Sequence, residues 1–310
     1  MPFFSVVIPL YNKANFIKLT LESVLQQMFQ DFEVIVVDDG STDDGVNLVK
    51  SLEDDRINLF CQSNKGASAA RNYGVSKANS KWIALLDADD VWYNDHLEEL
   101  HKTIVMLDKA DVVSNGYEIQ LTPDFIKKPT YNFDLKNKPA YVNDYFQCSL
   151  VDSLFWTSSI AFKKSSFEDI GGFDTELKTG QDLDLFIRFA LNYTLAYNPK
   201  ITLQYQNRTE NNLSKTAALD EKYKYINKHR DTENKNQSLK KYLDVNRFSL
   251  AIQSIQQNDL HLLNQVKSEI DLENLSQKQR FLLQLPSGSL KALKSLQKKL
   301  IKLGIYKSAF

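Results

Sequence analysis

Short runs of β-branched and aromatic residues alternate with helical stretches through the first two-thirds of this 310-residue chain, and that rhythm limits its fold more than any other feature. The strand-like runs are Phe4 to Leu10, Glu33 to Val37, Ile57 to Phe60 and Trp82 to Leu86. Helical stretches follow them, at about Ala14 to Phe29, Asp43 to Leu52, Ala67 to Ala78 and Asn94 to Leu107. Such a succession predicts an α/β architecture with a mostly parallel, doubly wound sheet flanked by helices. Parallel neighbours need a crossover long enough to hold a helix, and that crossover is right-handed. Val112 to Ser114 and Thr157 to Phe162 are apolar enough to extend the sheet.

After about Ser214 the character changes: Gly and Pro nearly vanish until Pro286, and Lys, Gln, Asn and Leu dominate. The pattern predicts an α/β domain over 1–214 and a helical C-terminal region over 215–310. Helices are expected near Leu219 to His229, Leu239 to Gln257, Leu260 to Glu269, Gln277 to Leu285 and Ser289 to Leu303. In the last of these, Leu290, Leu293, Leu296, Leu300 and Leu303 share one face at helical spacing. Lys291, Lys294, Lys298, Lys299 and Lys302 lie elsewhere on it, and no acidic residue occurs from Ser289 onward. A basic amphipathic helix of this kind either packs its leucines on its own domain or lies peripherally on an anionic membrane.

A net charge of −1 argues against a dedicated nucleic-acid binder. Cys61 and Cys148 are the only cysteines, too few for a disulfide framework or a thiolate metal site, which points to a reducing, cytoplasmic setting. Met1 to Leu10 has neither a charged leader nor a small-residue cleavage site and reads as a first strand. No run approaches the ~18 apolar residues of a membrane span. His96, His101, His229 and His261 have no ligand spacing and read as surface or packing residues.

Four segments place polar chemistry where a strand meets its loop. Asp87-Ala88-Asp89-Asp90 follows the apolar run Trp82 to Leu86. Clustered carboxylates repel one another and are costly to desolvate, so they either hold a hard divalent cation or cap the next helix. Pro9 lacks an N–H and ends the strand ladder, leaving Tyr11 at the sheet's mouth as a base-stacking platform or a turn tyrosine. Asp38-Asp39-Gly40-Ser41 can accept from a ribose hydroxyl or a pyrimidine N–H, or cap a helix. In Asn64-Lys65-Gly66-Ala67-Ser68-Ala69-Ala70-Arg71, small residues allow close backbone approach, and Arg71 can reach a base or a phosphate.

In this order, these segments resemble the family 2 nucleotide-sugar glycosyltransferases, whose fold is GT-A, a Rossmann-like sheet flanked by helices. The matching text is SVVIPLYNKANFIKLTLESVLQQMFQDFEVIVVDDGSTDDG, NKGASAARNYG, WIALLDADDVW, IAFKKSSFEDIGGFDTEL and GQDLDLFIRFA. The resemblance covers about Phe4 to Ser214 and implies nucleotide contacts from Pro9, Tyr11, Asp39, Arg71, Asp87 and Ala88. It implies that Asp89 binds the Mn²⁺ or Mg²⁺ that bridges the donor diphosphate, with Asp90 in support or capping. In Gly180-Gln181-Asp182-Leu183-Asp184, it makes Asp182 the base that deprotonates the acceptor hydroxyl; by pattern alone Asp182 and Asp184 are ordinary helix N-terminal charges. The donor implied is a nucleotide sugar, a UDP-sugar first, and the acceptor a glycan or lipid-linked glycan of bacterial surface-polysaccharide assembly.

Two departures stand out. The family usually carries Glu where this chain has Gln181, which alters the contacts to donor or acceptor sugar. Many relatives carry His where this chain has Arg208; Arg cannot ligate a cation but pairs with phosphate oxygens and would assist the leaving diphosphate. A Gln-x-x-Arg-Trp signature is absent after Asp182, so one sugar per encounter is expected. The rival readings are a nucleotidyltransferase of similar fold and a non-catalytic nucleotide- or glycan-binding module.

Overall fold

The centre of the molecule is β1 (Phe4–Leu10), every residue of which is buried except Pro9. A computed structural model describes residues 1–132, 137–206 and 218–306. Along it, β1, α1 (Ala14–Leu25), β2 (Phe32–Asp38), α2 (Gly45–Lys50), β3 (Ile57–Cys61), α3 (Ala67–Lys77) and β4 (Trp82–Leu85) follow in the expected rhythm. There follow β5 (Val91–Trp92), α4 (His96–Met106), β6 (Val112–Thr122), β7 (Phe125–Lys127), β8 (Ala140–Val142) and α5 (Tyr145–Cys148). A 3₁₀ turn at Thr157–Ser159 leads into β9 (Ile160–Lys163), then α6 (Lys164–Asp169), α7 (Gln181–Asn192) and β10 (Leu195–Gln206).

The strands form one sheet in the order β3-β2-β1-β4-β9-β6-β10-β5, with β7 paired to β6 and β8 to β10. It is parallel from β3 to β4, and β9 then inserts antiparallel between β4 and β6. Side chains of β1 alternate between two layers, as pleating requires: Val6 and Ile8 face α1 and α4, whereas Val7 faces α3 and α7. Gly74 of α3 lets that helix sit directly on the sheet. A Cβ there would lie 2.5 Å from Val7 Cγ1, so any larger residue would push helix and strand apart.

Several elements depart from the sequence reading. β6 runs on from Ser114 to Thr122, and β10 is a long strand where none was expected. Its Asn198-Pro199 breaks the apolar pattern, and the pairing of β10 with β6 shifts register there.

The tail comprises α8 (Leu219–Asn227), α9 (Arg230–Glu233), α10 (Gln237–Gln257), α11 (Leu260–Glu269), α12 (Gln277–Leu282) and α13 (Ser287–Lys302). Leu219, Ile226, Tyr242 and Phe248 join Tyr145, Phe155 and Phe186 in one continuous apolar cluster with the α3 and α7 layer. The division expected at 214/215 falls within 207–217, outside the described residues. Inside the tail, fully buried Arg247 pairs with Glu233 at 2.8 Å and Asp244 at 3.1 Å, satisfying charges that would otherwise be costly to bury. α13 docks through Leu290 alone among its leucines; Leu293, Leu296 and Leu303 are exposed. Among the described residues, no helix is long and apolar enough to cross a membrane.

Candidate active site

Strand order reverses beside β1, with β2 and β3 on one side and β4 on the other, so a crevice opens beyond the carboxyl ends of β1 and β4. Pro9 decides where that crevice starts. Val7 O accepts from Leu86 N at 3.1 Å, and Pro9, two residues on, turns the same edge toward β4 without an N–H. The β1–β4 ladder therefore stops at Val7 and Leu85, while the β1–β2 ladder runs on to Leu10 and Asp38. Pro9 ends pairing on one side of β1 only, which corrects the sequence expectation. Tyr11 then stands 47% exposed at the mouth.

Hydrogen bonds to the loops after β1 and β2 form the near wall. Asn12 N donates to Ser41 Oγ at 3.0 Å, and Asn12 Oδ1 accepts from Thr42 N at 2.8 Å. Asp39, 2% exposed, does not cap a helix. Its Oδ1 accepts from Gln62 Nε2 (2.7 Å) and Lys65 N (2.8 Å), and its Oδ2 from Gly66 N (2.7 Å). One carboxylate thus shapes the loop that starts α3 and aims Arg71 across the crevice.

The acidic tetrad separates into distinct roles. Asp87 pairs with Arg71, whose guanidinium lies 5.2 Å from the Phe173 ring centroid. Arg71 Nε is buried with no hydrogen-bond partner, as is Ser68 Oγ on the same helix. Asp89 Oδ2 lies 2.6 Å from Lys13 Nζ. Ala88 is 4% exposed, and its carbonyl accepts from Thr20 Oγ1 at 3.0 Å. Asp90 is not a helix cap, because strand β5 follows it and the residue before α4 is Asp95. Instead Asp90 is 1% exposed and accepts from Ser158 Oγ at 2.6 Å. Ser158 Oγ also accepts from Asp87 N at 3.0 Å, so one serine holds the whole turn.

The Asp89 carboxylate already faces one cation, the Lys13 ammonium. Among the described residues, no three His, Cys, Asp or Glu gather into a cage. That donor set suits a hard ion held by one or two carboxylates and completed by substrate phosphates, as Mg²⁺ sites commonly are.

Asp182, at the N-terminus of α7, is brought to the far side of the same crevice and interacts electrostatically with Arg71 and Asp87. Burial pushes its carboxyl above the usual range; the Leu183 N–H at 2.9 Å and the Arg71 charge act against that rise, and Asp87 adds to it. Asp184, two residues on and fully buried, behaves oppositely. Burial alone would raise its carboxyl, but hydrogen bonds from His229 (2.9 Å) and Lys228 (2.8 Å) and the charge of Arg188 hold it well below the ordinary range. Asp184 is a structural anchor, and His229 is the packing residue that its sequence suggested.

Gln181 is the first residue of α7, adjacent to Asp182, and Arg208 lies outside the described residues. Sequence reasoning missed Lys13, Ser158 and three tyrosines around Asp182: Tyr145, Tyr225 and Tyr242. Lys13 was discoverable as the one cation in the loop after β1. Nothing in the helical pattern of α8 or α10 marks Tyr225 or Tyr242.

The family model described as glycosyl transferase family 2 matches residues 5–171. The chain belongs to glycosyl transferase family 2. This family 2 chain is 31% identical over 192 residues to an uncharacterized glycosyltransferase of Rickettsia typhi, covering 61% of this chain and 58% of that one. It is 37% identical over 116 residues to the glycosyltransferase GlyG of Streptococcus pneumoniae, covering 36% and 38% of the two chains. The first curated relatives are matched over 14% to 58% of their own length. Among solved structures, S. aureus TarS 1–349 in complex with UDP-GlcNAc superposes with a TM-score of 0.65 at 20% identity. That alignment covers 86% of this chain and 84% of the TarS 1–349 chain, which shows a GT-A fold with C-terminal helices.

Proposed function

We propose that this chain transfers a sugar from a nucleotide-sugar donor, UDP-linked, to a hydroxyl of a glycan or lipid-linked acceptor, one sugar per encounter and with inversion at the anomeric carbon. The observation that carries this reading is Asp182: a carboxyl raised by burial, facing the Arg71–Asp87 pair across the crevice. A base should titrate near its working pH, and one opposite the diphosphate removes the acceptor proton as attack proceeds. The UDP-GlcNAc held by TarS supports a uridine donor. Tyr11 offers the base a stacking surface, and Arg71 and Asp87 hold base, ribose or phosphate at the end of β4. Asp89 would hold Mn²⁺ or Mg²⁺, which supplies positive charge for the departing diphosphate. Lys13 lies 2.6 Å from that carboxylate and orients it. Arg208, by its place in the sequence, would add a further charge to the leaving group.

The setting is bacterial capsule, lipopolysaccharide or exopolysaccharide synthesis on the cytoplasmic face of the membrane. Supporting a peripheral contact, α13 exposes Leu293, Leu296 and Leu303 beside its lysines. A panel of nucleotide sugars assayed for nucleotide release, with Mn²⁺ and with chelator, tests the reaction. Release from one UDP-sugar, lost on chelation, is expected; no release from any would overturn the proposal.

A further inference from the structure

The strongest unassigned feature is where the helical tail meets the first turn of α7. Gly180 precedes that helix at φ +72°, a left-handed conformation that favours glycine. A Cβ built there would lie 2.4 Å from both Cγ and Cδ1 of Tyr225 and 2.7 Å from Cε1. The Tyr225 ring therefore sits directly on the Gly180 Cα. One turn further along the tail, Lys228 Nζ and His229 Nε2 reach Asp184 Oδ1 at 2.8 and 2.9 Å. Positions 225 and 228/229 share a face of the tail, and 180 and 184 share a face of α7. The tail thus grips α7 one step before and one step after Asp182.

We propose that Tyr225 is a positioning residue for Asp182, clamping the Gly180 turn so that the tail fixes the carboxyl against the crevice. This rests on the reading of Asp182 as the base. The ring's second effect is electrostatic. Tyr225, Tyr242 and Tyr145, on α8, α10 and α5, lie close enough to feel the Asp182 charge, while Arg71 and Asp87 act on it from α3 and the end of β4. Sugar transfer needs the carboxylate in line with the acceptor oxygen, and a misplacement of ~1 Å can cost ~100-fold. The grip comes from a region that the family match, residues 5–171, does not reach.

The test uses the full chain and three readouts: kcat with the nucleotide sugar that the wild type turns over fastest, UDP affinity by calorimetry, and the Asp182 carboxyl titration by infrared difference spectroscopy. Asp182→Asn identifies the band. In Tyr225→Ala, kcat should fall roughly 30- to 100-fold with UDP affinity within about twofold, since misplacement of the base leaves donor contacts intact. Water entering the vacated space should move the Asp182 titration down, because desolvation is the largest cause of its rise. Tyr225→Phe keeps the ring and should restore both. Gly180→Ala should reproduce the loss, and the double variant should lose no more than either single one, because both break one contact. Wild-type kcat and titration in folded Tyr225→Ala would overturn the proposal. Full turnover by Asp182→Asn would instead overturn the base assignment, a distinguishable result.

Discussion

The two ends of the crevice treat charge in opposite ways. At the β1–β4 end each carboxylate is matched: Asp39 by three N–H donors, Asp87 by Arg71, Asp89 by Lys13 and Asp90 by Ser158. The cations beside Asp87 and Asp89 can turn toward an incoming phosphate. At the α7 end, burial pushes Asp182 toward its neutral form. A charged diphosphate calls for matched charge, and a neutral hydroxyl calls for a base whose proton affinity is high. Asp184 shows that the difference lies in environment, since the same residue type two positions away is held firmly ionised.

The most forceful way to break this contrast is Asp182→Asn. Turnover should drop by ~10²–10⁴-fold, the usual contribution of a positioned base, while UDP affinity stays within about twofold. A variant that still turned over would leave the α7 end without a chemical role. Asp184→Ala should act on stability, by about 3–5 kcal/mol in denaturant unfolding, because it strands Lys228 and Arg188 beside a buried gap. Its folded-state pKa is depressed, so this stabilisation is in force at neutral pH and fades as pH falls below ~4. The gap between wild type and variant should therefore narrow in acid.

Smaller effects sharpen the picture. With Asp182 raised and acting as the proposed base, the rate should fall away on the acid side at a higher pH than an ordinary Asp, near ~4, would give. At saturating donor, Asp87→Asn should move that limb down and Arg71→Met should move it up, each by less than about one unit. Unmoved limbs would mean that the two ends do not sense each other. Least of all, Lys13→Met should tighten Mn²⁺ binding in the absence of nucleotide by a few-fold in calorimetry, since the partly exposed ion pair is worth at most about 1 kcal/mol. Weaker binding would show instead that Lys13 organises Asp89 rather than competing for it.

Legibility followed the range of the interactions. The strand-loop motifs were readable because each is local: Asp87 follows its strand by two residues, and Pro9 carries its consequence in its missing N–H. The capping alternative for Asp90 failed for a local reason too, because an acidic run ahead of a helix looks like a cap unless a two-residue strand intervenes. What sequence could not reveal depends on contacts across the chain. Tyr225 lies on Gly180, Ser158 reaches back to Asp87 and Asp90, and β10 tolerates Pro199 through a register shift against β6. No spacing rule announces such pairings.

The shared apolar cluster of tail and sheet also sets an order of events during synthesis. Domains fold from the N-terminus as the ribosome releases them, and the strand ends carrying Tyr11, Arg71 and Asp87 emerge long before Tyr225, Lys228 and His229. A nascent chain stopped between those points would have the loops proposed to face the nucleotide but not the clamp proposed for Asp182. On that proposed reading, the ability to hold a donor would precede the ability to transfer from it, and the ribosome would be the first timer of activity.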